Sequence, residues 1–155
     1  MTLAYSPPTQ PLVRAPDKTI TFTGASGLGQ AGTNVTVYTI TGRVLIAYFP
    51  PPFCTTLLTE AAPTATVSLG TTTTVALFIG ATTSTLIDVN EWWDDTADGN
   101  ILQGSGSDLV GNGIAAPGVI SENIVIACAT QNTNAGVLVF QGLMYIPLTA
   151  GASLA

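Results

Sequence analysis

The chain has 155 residues, enough for a domain with its own core. Charged residues make up only 8 % of it, against a usual share of about 25 %. It has three cations, nine acids and no histidine, for a net charge of −6. That balance excludes imidazole acid–base chemistry and argues against nucleic acid or an anionic membrane as a partner.

The cations Arg14, Lys18 and Arg43 all lie in the first third, and every acid except Asp17 follows Arg43. From Val44 to Ala155 polarity is therefore carried by hydroxyls, backbone and carboxylates. A body with so little charge is poorly protected against association, which fits a surface made for protein partners.

Residues 1–18 carry Pro7, Pro8, Pro11 and Pro16. Four prolines exclude a helix interior or a central strand, so this region is expected to be an extended N-terminal arm. Arg14 and Lys18 are its candidate contacts to carboxylates on a neighbour. The N-terminus lacks the basic and apolar regions of a secretory signal, so folding in a cytoplasm is expected. The uncharged stretch Ala61–Ile87 is long enough to span a membrane, but glycines and threonine runs interrupt it too often.

From Thr19 onward the patterns are those of strands, and residues 19–155 are expected to form one domain. Thr19–Thr23 and Asn34–Ile40 alternate, and Arg43–Phe49 is apolar on both faces, which predicts a central strand. Pro50, Pro51 and Pro52 end it, because three successive residues without N–H cannot join a ladder. Further strands are predicted at Ala65–Leu69, Thr74–Ile79, Ser84–Asp88, Asn123–Thr130 and Gly136–Ile146, the last two as an antiparallel hairpin. Asp94–Gly118, rich in Gly and Asp, reads as mostly loop. Short strands, Gly/Pro/Thr turns and no amphipathic helix predict an all-β antiparallel sandwich or jelly roll, with strand order left open.

Cys54 and Cys128 do not make a disulfide framework and read as two buried thiols. Gly27-Leu-Gly-Gln-Ala-Gly32 matches the dinucleotide fingerprint, but a strand rather than a helix follows, so it reads as a turn. Asn34-Val-Thr36 fits a glycosylation sequon by pattern only.

Asp88, Glu91, Asp94, Asp95 and Asp98 are the one place where carboxylate or Ca²⁺ chemistry could gather. As a calcium loop, Asp94–Ser105 lacks a ligand at Thr96 and a Glu at the twelfth position, so a solvated acidic loop is the expectation. Serines are plentiful, but none has a basic partner in the body. The sequence thus names no catalytic residue, no metal and no cofactor. Trp92 and Trp93 lie within the acidic segment. Neighbours on a strand point to opposite sides, so one is expected in the core and the other at an interface or on a sugar.

The run Glu122–Thr130, followed by Asn134-Ala-Gly-Val-Leu-Val-Phe-Gln-Gly-Leu-Met-Tyr-Ile-Pro-Leu-Thr-Ala-Gly151, resembles the C-terminal half of small β proteins from tailed-bacteriophage structural clusters. There a similar strand pair ends in a Pro-Leu-Ser/Thr-x-Gly-like tail. Thr85–Asp95 resembles their Ile-Asp…Glu-x-Trp-x-Asp stretch. The resemblance covers Thr36–Gly151 and is to capsid decoration, or cement, proteins.

It implies a jelly-roll-like, typically trimeric protein on the capsid exterior at three-fold or quasi-three-fold positions. The major capsid protein and further copies of the chain would be its partners. The Pro-rich arm and Pro50–Pro52 depart from that pattern, and no functional residue carries over. The expected function is therefore a non-enzymatic virion structural protein that stabilises an assembled shell. A head-fibre or tail-fibre module that meets host glycans through Trp92 or Trp93 is the alternative. A carboxylate-based glycan hydrolase is a third reading.

Overall fold

The computed structural model describes residues 11–60, 65–94, 101–102 and 118–155. In chain order the strands are β1 (Val13–Arg14), β2 (Lys18–Thr21), β3 (Thr33–Tyr38), β4 (Ile40–Thr41), β5 (Val44–Tyr48) and β6 (Phe53–Glu60). There follow β7 (Thr66–Thr71), β8 (Ile79–Thr83), a 3₁₀ turn at Ser84–Leu86, β9 (Trp92–Trp93) and β10 (Ile101–Leu102). The chain closes with β11 (Val119–Ile120), β12 (Ile124–Ala129), β13 (Thr133–Phe140), β14 (Met144–Pro147) and β15 (Ser153–Leu154).

These strands form a five-stranded sheet in the order β10-β9-β6-β13-β2 and a four-stranded sheet in the order β3-β12-β7-β8. A second four-stranded sheet runs β1-β14-β5-β11, and β15 pairs with β4. Every ladder between these strands is antiparallel, and the architecture is the all-β sandwich expected from the sequence. β5 is interior to its sheet, as its apolar pattern predicted.

Aromatic rings tie the sheets together. Tyr38 at the end of β3 meets Phe140 of β13 edge-on at 6.5 Å and Phe49, just after β5, at 6.4 Å. Phe49 in turn packs on Phe78 at 5.2 Å. Such edge-to-face pairs add about 0.5–1.5 kcal/mol each beyond the area they bury. They belong to one contiguous cluster of buried side chains drawn from all these sheets.

Four expectations need correction. First, the described part of the expected extended arm, residues 11–18, packs against the body of its own chain. Val13 and Arg14 pair with Tyr145 and Met144, Ala15 is buried with its N–H on the Leu143 carbonyl, and the Tyr38 hydroxyl donates to the Pro16 carbonyl. Prolines at 11 and 16 still leave room for a two-residue edge strand. Residues 1–10 lie outside the described residues.

Second, β12 and β13 are not a hairpin, because they belong to different sheets. Thr130, with φ 64°, turns the chain away from β12. Asn132 then bonds across to the glycine turn, accepting from the Ala31 N–H and donating to the Gly24 carbonyl. The strand predicted at Gly136–Ile146 likewise breaks at Gln141–Leu143, and β14 joins another sheet.

Third, Thr74–Phe78 is a loop and the strand begins at Ile79. The Thr74 carbonyl accepts from both Thr71 and Leu77, closing two tight turns that a strand would not allow. Fourth, Ser84–Leu86 is a 3₁₀ turn, held by Ile87 N–H on the Ser84 carbonyl and by Ser84 Oγ on Glu60. The sequence reading also missed β6. Pro50–Pro52 end β5 and deliver the chain to the next sheet, where Phe53 opens one of the longest strands.

The Gly27–Gly32 motif is a turn leading into β3, as expected. Gly29 has φ 112°, and a Cβ there would collide with the Thr133 carbonyl, so only glycine allows the Thr133 N–H to reach the Gly29 carbonyl at 2.8 Å.

Candidate interaction surface

The five-stranded sheet has two unlike faces. Alternation along β13 sends Leu138 and Phe140 into the core and leaves Val137 and Val139 half-buried on the other side. Register extends this outer face across the sheet. Val139 lies between Thr19 of β2 and Phe53 of β6, and Phe53 lies beside Trp92 of β9. A second row runs from Thr21 through Val137 to Thr56, and a third pairs Ala135 with Thr59. Those rows hold no ionisable side chain. Exposed Leu57 adds apolar area beside them.

The two tryptophans divide as alternation predicted. Trp93 is fully buried (0 % exposed), and its indole N–H donates to Thr82 Oγ1 at 2.9 Å. This bond joins the five-stranded sheet to β8 of its neighbour. Trp92 is half-buried on the outer face, with its ring 4.8 Å from that of Phe53. The sequence reading missed Phe53. Its only local signal was position, the first residue able to donate a ladder N–H after three prolines.

The cationic candidates are less available than their positions implied. The Arg14 guanidinium is paired with Asp17 and also donates to the Gln141 carbonyl at 3.0 Å. Lys18 is half-buried on the core side of edge strand β2, the side that Ile20 packs on. Arg43 is exposed, with its backbone bonded to Thr149 and Leu148.

The described part of the acidic segment, Asp88, Glu91 and Asp94, forms no group placed to hold a metal. Glu91 is buried and accepts from the Asp88 N–H at 2.9 Å, Asp88 is exposed, and Asp94 is buried. Asp95 and Asp98 lie outside the described residues. Among the described residues no group of three or more His, Cys, Asp or Glu side chains is placed to hold a metal. Cys54 and Cys128 are free and buried, and burial pushes both thiols up to about 11. Among the described residues no helix is long and apolar enough to cross a membrane.

A residue the sequence reading passed over stands out electrostatically. Glu122, just before β12, accepts from Thr72 Oγ1 at 2.9 Å, from the Thr73 N–H at 2.9 Å and from Thr73 Oγ1 at 2.7 Å. These donors hold its carboxyl down at about 2, from an ordinary 4.5. Nothing in the local pattern pairs residue 122 with residues 72 and 73; only tertiary structure brings them together.

No protein-family profile, curated protein or solved structure matches this chain.

Proposed function

We propose that the chain is a non-enzymatic virion structural protein that binds the exterior of an assembled phage capsid and stabilises it by bridging capsomers. The observation that supports this reading is the outer face of the five-stranded sheet, an uncharged surface of valine and threonine with the Phe53–Trp92 pair at one side. Fully burying a large apolar side chain is worth roughly 1.5–3 kcal/mol, so covering this face rewards contact with another protein surface. A protein that binds only the assembled shell stabilises that state by mass action. A homotrimer, engaging several copies of the major capsid protein at once, gains further from effective concentration.

The test is co-sedimentation of the purified chain with capsids lacking it. Saturable binding at hundreds of copies per head, abolished by Phe53→Ser with Trp92→Ser, is the expected result. No binding by the wild-type chain overturns the reading.

A second reading, a fibre module for host glycans, draws on the partly exposed Trp92 ring, which can stack on a sugar. Binding on a glycan array that is lost with Trp92→Ala, without capsid binding, would favour it.

A further inference from the structure

We propose that the cleft between the Thr71–Leu77 loop and β11 receives a single lysine or arginine side chain from a protein partner. This does not depend on the partner being a capsid. The cleft has a volume of about 190 Å³, with Leu77 and Val119 among its lining residues and Glu122 supplying its charge. Leu77 and Val119 are 39 % and 47 % exposed, so both offer apolar contact to the methylene stem of a long cationic side chain. The Thr73 hydroxyl lies 2.7 Å from both carboxylate oxygens of Glu122, the Thr73 N–H and the Thr72 hydroxyl donate to Oε2, and the Thr71 side chain adds a further hydrogen bond. An ionised carboxylate still draws a cationic donor through its charge, and such charge-assisted bonds are stronger than neutral ones.

The pocket is built in advance. Thr71 and Leu77 both donate to the Thr74 carbonyl, and the loop lies directly over Gly70, where a Cβ would come within 2.5 Å of the Val75 carbonyl carbon. A loop already pinned by Glu122 loses little freedom when a ligand arrives. The hydroxyl and amide donors of Thr73, Thr72 and Thr71 keep the carboxylate ionised across the neutral and mildly acidic range. Among the described residues the one ion pair is Arg14–Asp17, so Glu122 carries its charge without a cation.

The nearest cation along the sheet is Arg43. It precedes Val44, which pairs with Ile120, yet it makes no ion pair with Glu122. An anionic ligand would meet the carboxylate's repulsion, and a single carboxylate is a poor cage for a metal. Charge complementarity therefore selects a basic side chain, and on a chain of net charge −6 it selects a basic surface around it.

The test is an amide ¹⁵N–¹H NMR titration of the full chain with N-acetylarginine amide, with N-acetylcitrulline amide as the uncharged isostere. Expected are saturable shifts at Thr72–Leu77 and Val119–Glu122 with roughly millimolar affinity. They should be at least about tenfold weaker with citrulline or in Glu122→Gln, and weaker in high salt. Equal shifts from both probes, or no salt dependence, overturn the proposal even if Glu122→Gln fails to fold. A gain of about tenfold or more in Arg43→Gln would identify the chain's own Arg43 as the occupant and likewise overturn it.

Discussion

The two faces of the five-stranded sheet are made by the same strands and from nearly the same kinds of side chain, yet they do different work. On the inner face Cys54, Leu58, Trp93, Leu138 and Phe140 are completely buried, and the one polar group of Trp93 has an acceptor in Thr82. On the outer face Phe53, Trp92, Val137 and Val139 are half-buried, with threonines between them. The lesson is that apolar content alone does not mark a core here. Trp92 and Trp93 are adjacent in sequence, and one residue of register separates a ring that holds two sheets together from a ring left on the outer face beside Phe53.

This contrast can be broken most sharply at Trp93. Trp93→Ala removes the largest buried side chain and should cost about 3–5 kcal/mol in urea-induced unfolding. Thr82→Val keeps the shape but leaves the indole N–H without its acceptor, and should cost about 1–3 kcal/mol by the same measurement.

On the outer face, replacing Phe53 and Trp92 together by Ser loses the ring pair, worth about 0.5–1.5 kcal/mol beyond the area it buries, and should cost less stability than Trp93→Ala while abolishing the proposed capsid binding. A stability loss equal to that of Trp93→Ala would erase the distinction between the faces.

Two smaller effects probe the polar clamp and the thiols. The Glu122 carboxyl titrates at about 2 in the folded chain and at its ordinary 4.5 when released. Its contribution to stability is therefore complete above about 4.5 and is lost as pH falls through about 2. Melting temperature should fall more steeply across that window in the wild type than in Glu122→Gln. Cys54 and Cys128, both pushed up to about 11, should react with a thiol reagent at pH 8 only as fast as the chain opens. Fast labelling of either in the folded chain would place it at the surface.

Much of the secondary structure was legible because alternation is local. Thr19–Thr23, Asn34–Ile40, Arg43–Phe49 and Asn123–Thr130 each correspond to observed strands, and the split of Trp92 from Trp93 follows from a period of two. What misled were apolar runs whose partners are distant. Thr74–Ile79 has a strand's composition, but hydrogen bonds to the Thr74 carbonyl and the Glu122 clamp make most of it a loop. Asn123–Thr130 and Gly136–Ile146 looked like hairpin arms because they are close in sequence, yet each pairs with strands from much earlier in the chain. Of the candidate site, Trp92 was visible from sequence. Phe53 was hidden behind the prolines, and Arg14, expected to contact carboxylates on a neighbour, is held by Asp17 and the Gln141 carbonyl of its own chain.

The sequence by itself determined an all-β chain with two buried thiols and very little charge after Arg43. Those are properties of composition and short-range period, which need no knowledge of partners. Tertiary structure alone decided which strands lie side by side, that residues 11–18 belong to the body, and that Glu122 meets Thr72 and Thr73. The reason is physical: ladder hydrogen bonds and carboxylate clamps join residues far apart in the chain, and backbone donors and acceptors are the same in every residue but proline.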